Sequence, residues 1–137
     1  MSAALIAATI VAGALGTVLR YLTSRAFAPR SQFPWAVLAV NVVGSAIGGG
    51  VLGLATIGGV DAGIRLIVLT GFCGGLTTFS TWSVETVQLL QKGKWRWVGL
   101  SVVGNLVFGV GAAAAAYAIT VAAAVAVAVA AAGAGAG

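Results

Sequence analysis

The sequence predicts an all-α integral membrane protein of four transmembrane helices. Three observations carry that prediction. Of 137 residues, 61% are hydrophobic and only 7% are charged, whereas a soluble domain carries about 25% charged residues. So few charges cannot cover a water-facing surface. Apolar runs near the length that a bilayer demands, about 20 residues, recur four times along the chain. The 21 glycines fit the same solvent, because glycine is costly in soluble helices but lets membrane helices approach closely. Valine, leucine, isoleucine and aromatics are interleaved with the glycine and alanine, which separates this composition from a disordered low-complexity chain.

The composition also excludes function classes. The chain has no histidine and a single cysteine, Cys73, which rules out His/Cys metal clusters, His-based catalysis and an intrachain disulfide. Asp61 and Glu85 are the only carboxylates. No enzyme is expected. The net charge of +5 does not point to nucleic acid, because the basic residues sit at the ends of apolar runs, where they set topology.

One membrane domain, residues 1–137, accounts for the whole length. The first span is placed at residues 3–22 and ends among Arg20, Tyr21 and Arg25. No Lys or Arg precedes it, so it reads as a retained span rather than a secretory signal. A loop follows around Pro29, Arg30 and Pro34. The second span, residues 35–57, ends at the Gly58-Gly59 turn beside Asp61. The third covers residues 64–90 and closes at Lys92, Gly93, Lys94 and Arg96. The fourth covers residues 97–120, and residues 121–137 form an Ala/Val/Gly-rich tail that either extends it or frays. Trp35, Trp95 and Trp97 fall at expected membrane interfaces.

An even number of spans puts both termini on one side. Arg20, Arg25, Arg30, Lys92, Lys94 and Arg96 gather on the other side, and Arg65 alone lies near the second loop. The positive-inside rule makes the first and third loops cytoplasmic. A multi-pass plasma-membrane protein with extracytoplasmic termini is expected.

The third span is the informative one. Its middle, Gly71-Phe72-Cys73-Gly74-Gly75-Leu76-Thr77-Thr78-Phe79-Ser80-Thr81-Trp82-Ser83, is too rich in glycine and hydroxyls for a continuous lipid-facing helix. A helix broken mid-membrane frees carbonyls for cations and amides for anions. The same composition also serves back-bonded hydroxyls and close packing. Phe79 and Trp82 share a face, and ring edges carry the positive end of the aromatic quadrupole. Asn41 and Asn105 are amides at membrane depth, suited to a polar path or to interhelical hydrogen bonding, and Ser101 shares the face of Asn105. Glu85 follows one turn after Trp82, an intramembrane carboxylate and so a site candidate. Gly44/Gly48, Gly49/Gly53 and Gly71/Gly75 have GxxxG spacing.

Together these residues resemble the Fluc/CrcB family of fluoride channels. The resemblance runs from Gly13-Ala14-Leu15-Gly16 and Arg20-Tyr21, through Val40-Asn41-Val42-Val43-Gly44, to the third-span stretch from Gly71 to Glu85. It implies an antiparallel, dual-topology-type dimer with narrow pores. It implies a structural Na+ at the dimer centre on main-chain oxygens, at the positions of Gly74 and Thr77. It matches the pore asparagine to Asn41, the vestibule arginine to Arg20 and the pore aromatics to Phe79 and Trp82. Thr78, Ser80 and Thr81 become candidates for a polar track that replaces the water around fluoride. Trp82 departs from the phenylalanine typical of the family. The charge asymmetry is also a departure, because a chain inserting both ways needs little Lys/Arg bias, so partnership with an oppositely oriented homologue stands beside a homodimer.

The function implied is passive export of fluoride down its electrochemical gradient, giving fluoride resistance. Two other readings exist. A small proton-coupled multidrug exporter needs a carboxylate within its binding cavity, and the first span has none. A non-transporting scaffold would leave the broken third span without a purpose.

Overall fold

A computed structural model describes residues 2–27 and 33–134. The expected loop residues Pro29 and Arg30, and the last three residues of the tail, lie outside the described residues. All regular structure among the described residues is helical: α1 (Ala3–Phe27), α2 (Trp35–Thr56), α3 (Ala62–Leu66), a π-helical stretch (Ile67–Cys73), α4 (Gly74–Leu76), α5 (Phe79–Gln91) and α6 (Trp95–Ala134). Four of the resulting segments are long and apolar enough to cross a membrane, the third being the composite Ala62–Gln91. The chain is a multi-pass membrane protein.

Each element has a local cause. Pro34 stands just before α2, where its missing N–H costs no helical hydrogen bond. Gly58 turns the chain after α2 with φ of 74°, a conformation that only glycine adopts freely. Asp61 then caps α3, its Oδ1 accepting from the N–H groups of Gly63 and Ile64 at 2.7 and 3.0 Å. Gly93, with φ of 69°, makes the tight turn from α5 into α6.

Two boundaries differ from expectation. The first helix continues past residue 22 to Phe27. Arg20 and Arg25 do not end it, because long basic side chains can run along a helix toward polar surroundings, and Arg25 lies 6.0 Å from the Tyr21 ring centre. The fourth helix starts at Trp95 and runs unbroken into the tail, to Ala134. Alanine has the best helix propensity and the nucleus already exists, so the tail extends the helix.

The helices pack as two parallel pairs, each held by glycine. A Cβ at Gly75 would overlap the carbonyl of Gly13, and one at Gly71 would come within 2.7 Å of the Thr9 carbonyl. The Gly71/Gly75 spacing therefore lets α1 lie directly on the third span. A Cβ at Gly49 would overlap the Ala113 carbonyl, and one at Gly53 would meet Tyr117 and Thr120. That spacing seats α2 on α6. Both motifs pack helices within one subunit.

Candidate functional site

The third span stops being helical at Thr77 and Thr78, whose ψ angles are 157° and 117°. A break inside a bilayer must find new partners for every backbone group it releases. Side chains of α1, α2 and the break itself take up several of them. Asn41 of α2 meets Thr78 twice: its Oδ1 accepts from the Thr78 N–H at 2.8 Å, and its Nδ2 donates to the Thr78 carbonyl at 3.3 Å. Arg20 of α1 donates from Nε to the Gly75 carbonyl at 3.1 Å, placing a cation at the C-terminal end of α4. The Thr77 hydroxyl donates to the Cys73 carbonyl at 2.8 Å. Thr78 caps α5, its Oγ1 accepting from the Thr81 N–H at 3.1 Å. The Thr77 methyl fills the space a Cβ would occupy on Gly44.

The carbonyls of Gly74, Leu76 and Thr77 are left without their helical donors. In a continuous helix the Gly74 and Thr77 oxygens would accept from the N–H groups of Thr78 and Thr81. Those N–H groups are taken by Asn41 and by the Thr78 hydroxyl. Hard main-chain oxygens freed by a helix break suit an alkali cation, and Gly74 is exposed at the surface of the subunit. The residues fit the Na+ that the resemblance implies.

Beside the break is a cavity of about 440 Å³, lined by Asn41, Ser45, Thr78, Phe79, Trp82 and Asn105 among others. It gathers residues from α2, α5 and α6. Phe79 is 77% exposed, so its ring is free to face whatever enters. Its centroid is 5.3 Å from that of Trp82, with the planes at 48°. The indole N–H of Trp82 donates to the Ser101 carbonyl at 3.4 Å. That donor is therefore committed to α6, and Trp82 offers the cavity ring surface rather than an N–H.

The remaining candidates divide. Asn105 joins Asn41, with Asn41 Nδ2 donating to Asn105 Oδ1 at 2.9 Å. Ser101 is fully buried, and its hydroxyl is 3.3 Å from that of Thr86. The Ser80 and Thr81 hydroxyls lie 3.3 and 2.9 Å from Thr78 Oγ1, a continuous hydroxyl cluster at the head of α5. Glu85 is elsewhere. It lines a separate cavity of about 370 Å³ with Ser24, Trp35, Gln88 and Lys92, and its buried Oε2 has no hydrogen-bond partner among the described residues. Ser45 was not singled out by the sequence reading. It stands four residues after Asn41, one turn along the same face, and that spacing was the available signal.

Membrane passage by four spans, a broken third span and a largely apolar cavity holding two carboxamides and an aromatic pair define the class: a small membrane protein built to handle an ion. The chain belongs to the CrcB family, for a model described as CrcB-like protein, Camphor Resistance (CrcB) matches residues 7–119. It is similar to proteins named "Fluoride-specific ion channel FluC" from Escherichia coli strains HS and SE11. Each is 42% identical over 105 residues, covering 75% of this chain and 83% of the relative.

Proposed function

We propose that this chain is a fluoride-selective channel that exports cytoplasmic fluoride passively and so confers fluoride resistance. The observation that carries the reading is the broken third span, which sets the Phe79 and Trp82 rings beside an amide- and hydroxyl-lined cavity in a chain so similar to named fluoride channels. Fluoride is small and strongly hydrated. Its dehydration cost must be offset by donors and by positive ring edges in a dry site. Hydrogen fluoride enters a cell as a neutral acid and dissociates at cytoplasmic pH. A selective leak returns the anion outward, helped by an inside-negative potential. Nothing in this cycle makes or breaks a covalent bond in a substrate, and the chain is not an enzyme.

The working unit in this reading is an antiparallel dimer, of two copies or of one copy with an oppositely oriented homologue. The freed oxygens of Gly74 and Thr77 on each subunit support a shared Na+ between them. The plasma membrane is the site of action. The Lys/Arg bias supports extracytoplasmic termini in the main orientation. The exporter reading loses support because Glu85 and the Asn41 cavity lie apart.

The test is fluoride efflux from liposomes holding the purified chain, followed with an electrode after adding a potassium ionophore. Efflux of fluoride but not chloride is expected. Silence both alone and with a co-reconstituted homologue would refute the channel.

A further inference from the structure

Two cavities at one end of the bundle share a wall. The first, a chamber of about 370 Å³, opens where α1 ends, α2 begins and α5 ends, and its polar lining is Ser24, Glu85, Gln88 and Lys92. The second, of about 250 Å³, is an apolar groove between α2 and α6 that runs from Trp97 past Leu100 and Val103 to Phe108. Phe33 and Trp35 line both. Their rings meet edge to face with centres 4.7 Å apart, and the Phe33 ring lies 5.6 Å from that of Trp97. Trp35 and Trp95, both exposed, mark this end as a membrane interface. A polar chamber at headgroup level therefore adjoins an apolar groove directed toward the bilayer centre.

Length and charge select the occupant. Trp97 and Phe108 are separated by a rise of about 16 Å along α6, close to the roughly 15 Å of hydrocarbon in one leaflet. That is the reach of a lipid acyl chain. The chamber offers one carboxylate and one ammonium. Glu85 stands two helical turns before Lys92, about 10 Å deeper along the same face of α5, and both side chains line the chamber. Glu85 Oε2 is buried and has no hydrogen-bond partner among the described residues. A buried acceptor calls for a donor. A ligand that brings N–H donors to Glu85 and an anionic oxygen to Lys92 satisfies both.

We propose that this double cavity holds a phospholipid with a primary-amine headgroup, of the phosphatidylethanolamine type. Its ammonium donates to Glu85, its phosphate meets Lys92, and one acyl chain lies in the groove along α6. The ethanolamine arm is flexible, so it turns inward to the deeper Glu85 while the phosphate stays at the level of Lys92. A purely anionic headgroup would bring no cation to Glu85 and would set its phosphate near a carboxylate. A choline headgroup keeps the positive charge but has no N–H to donate. The proposal is independent of the channel reading, because neither cavity shares a residue with the one beside the helix break.

The experiment is native mass spectrometry of the intact protein, released from detergent after equilibration with one lipid at a time. The lipids are phosphatidylethanolamine, its N-methyl and N,N-dimethyl derivatives, phosphatidylcholine and phosphatidylglycerol, all with the same acyl chains. The methyl series removes N–H donors one by one while keeping the charge. Retention is expected to fall along that series, with the ethanolamine lipid held about tenfold more tightly than the choline lipid, the scale of one hydrogen bond to a charged partner. Glu85→Gln is expected to level the series, and Lys92→Gln to weaken the binding of every member. Wild-type protein that holds the choline or glycerol lipid as tightly as the ethanolamine lipid overturns the proposal without any variant. A full ethanolamine preference in a folded Glu85→Gln protein overturns it as well, by placing the amine elsewhere.

Discussion

Asn41 and Thr78 are joined by a reciprocal pair of hydrogen bonds, 2.8 Å from the Thr78 N–H to Oδ1 and 3.3 Å from Nδ2 to the Thr78 carbonyl. The side chain thus stands in for a neighbouring strand of backbone at a point where the third span has none. Removing it leaves two backbone groups without partners at membrane depth. An orphaned buried polar group costs about 1–3 kcal/mol. Asn41→Leu is expected to lower the thermal midpoint in detergent by several degrees and to abolish fluoride efflux. Asn41→Asp retains the acceptor for the Thr78 N–H but sets an oxygen against the Thr78 carbonyl, so it is expected to be at least as damaging. A melting curve unchanged by both substitutions would contradict the bridging role.

Gly75 and Gly49, like Gly16, are expected to accept no side chain. An added Cβ at either would overlap a carbonyl of the facing helix, Gly13 or Ala113, and backbone cannot rotate away as a side chain can. Overpacking of this kind costs about 1–3 kcal/mol or more. Gly99 has nothing near its missing Cβ, and alanine there gains up to about 1 kcal/mol of helix propensity. Gly75→Ala and Gly49→Ala should therefore reduce the folded yield and melting point, with Gly99→Ala neutral or stabilising. Equal melting points across the three would remove the packing argument.

In the dimer proposed above, sodium is expected to support assembly. The Gly74 and Thr77 oxygens lose their helical donors to Asn41 and Thr78, and a bound cation would offset that loss. Replacing sodium with N-methylglucamine throughout purification should lower both dimer content on gel filtration and fluoride efflux, and restoring sodium should recover them. Dimers indifferent to the exchange would leave the two carbonyls to water.

Much of this was legible in the sequence, and the exceptions have physical causes. Four spans followed from the near absence of charge, because no other solvent than lipid suits such a composition. The break followed from Gly74-Gly75 with Thr77-Thr78 in an apolar run, since these residues weaken a helix and can satisfy freed backbone groups. The π-helical turn at Ile67–Cys73 was not legible. It lies against α1, and side-chain pattern carries little of a backbone hydrogen-bond shift of that kind. The commitment of the Trp82 N–H to Ser101 was likewise hidden. It arises between α5 and α6, nineteen residues apart, and no local spacing encodes it.

Trp82 offers a direct test of that hidden bond. Its indole N–H is bound to the Ser101 carbonyl, which also accepts from Asn105. Trp82→Phe keeps a ring edge at the cavity and releases half of that shared carbonyl. Fluoride conduction is expected to survive, at a rate equal to or above wild type, with a stability loss of about 1 kcal/mol or less for the long hydrogen bond. Trp82→Ala removes the ring itself and is expected to cut efflux strongly. Loss of conduction in Trp82→Phe would mean that the N–H, not the ring, serves the ion.

The far half of α6 has a different logic. Trp97 stacks near Phe33, with ring centres 5.6 Å apart, and Tyr117 reaches Thr56 at the other end of α2, with hydroxyls 3.4 Å apart. Residues between those contacts cross the bilayer beside α2. The helix nevertheless continues to Ala134, and its 40 residues span about 60 Å against a hydrocarbon core of about 30 Å. The part beyond Thr120 therefore projects past the end of α2. It carries no residue of the cavity or of the break, and the family match ends at residue 119. A chain ending at Thr120 is expected to insert, assemble and conduct fluoride at the wild-type rate. A truncated chain that assembles normally yet conducts slowly would tie the projecting helix to the pore after all.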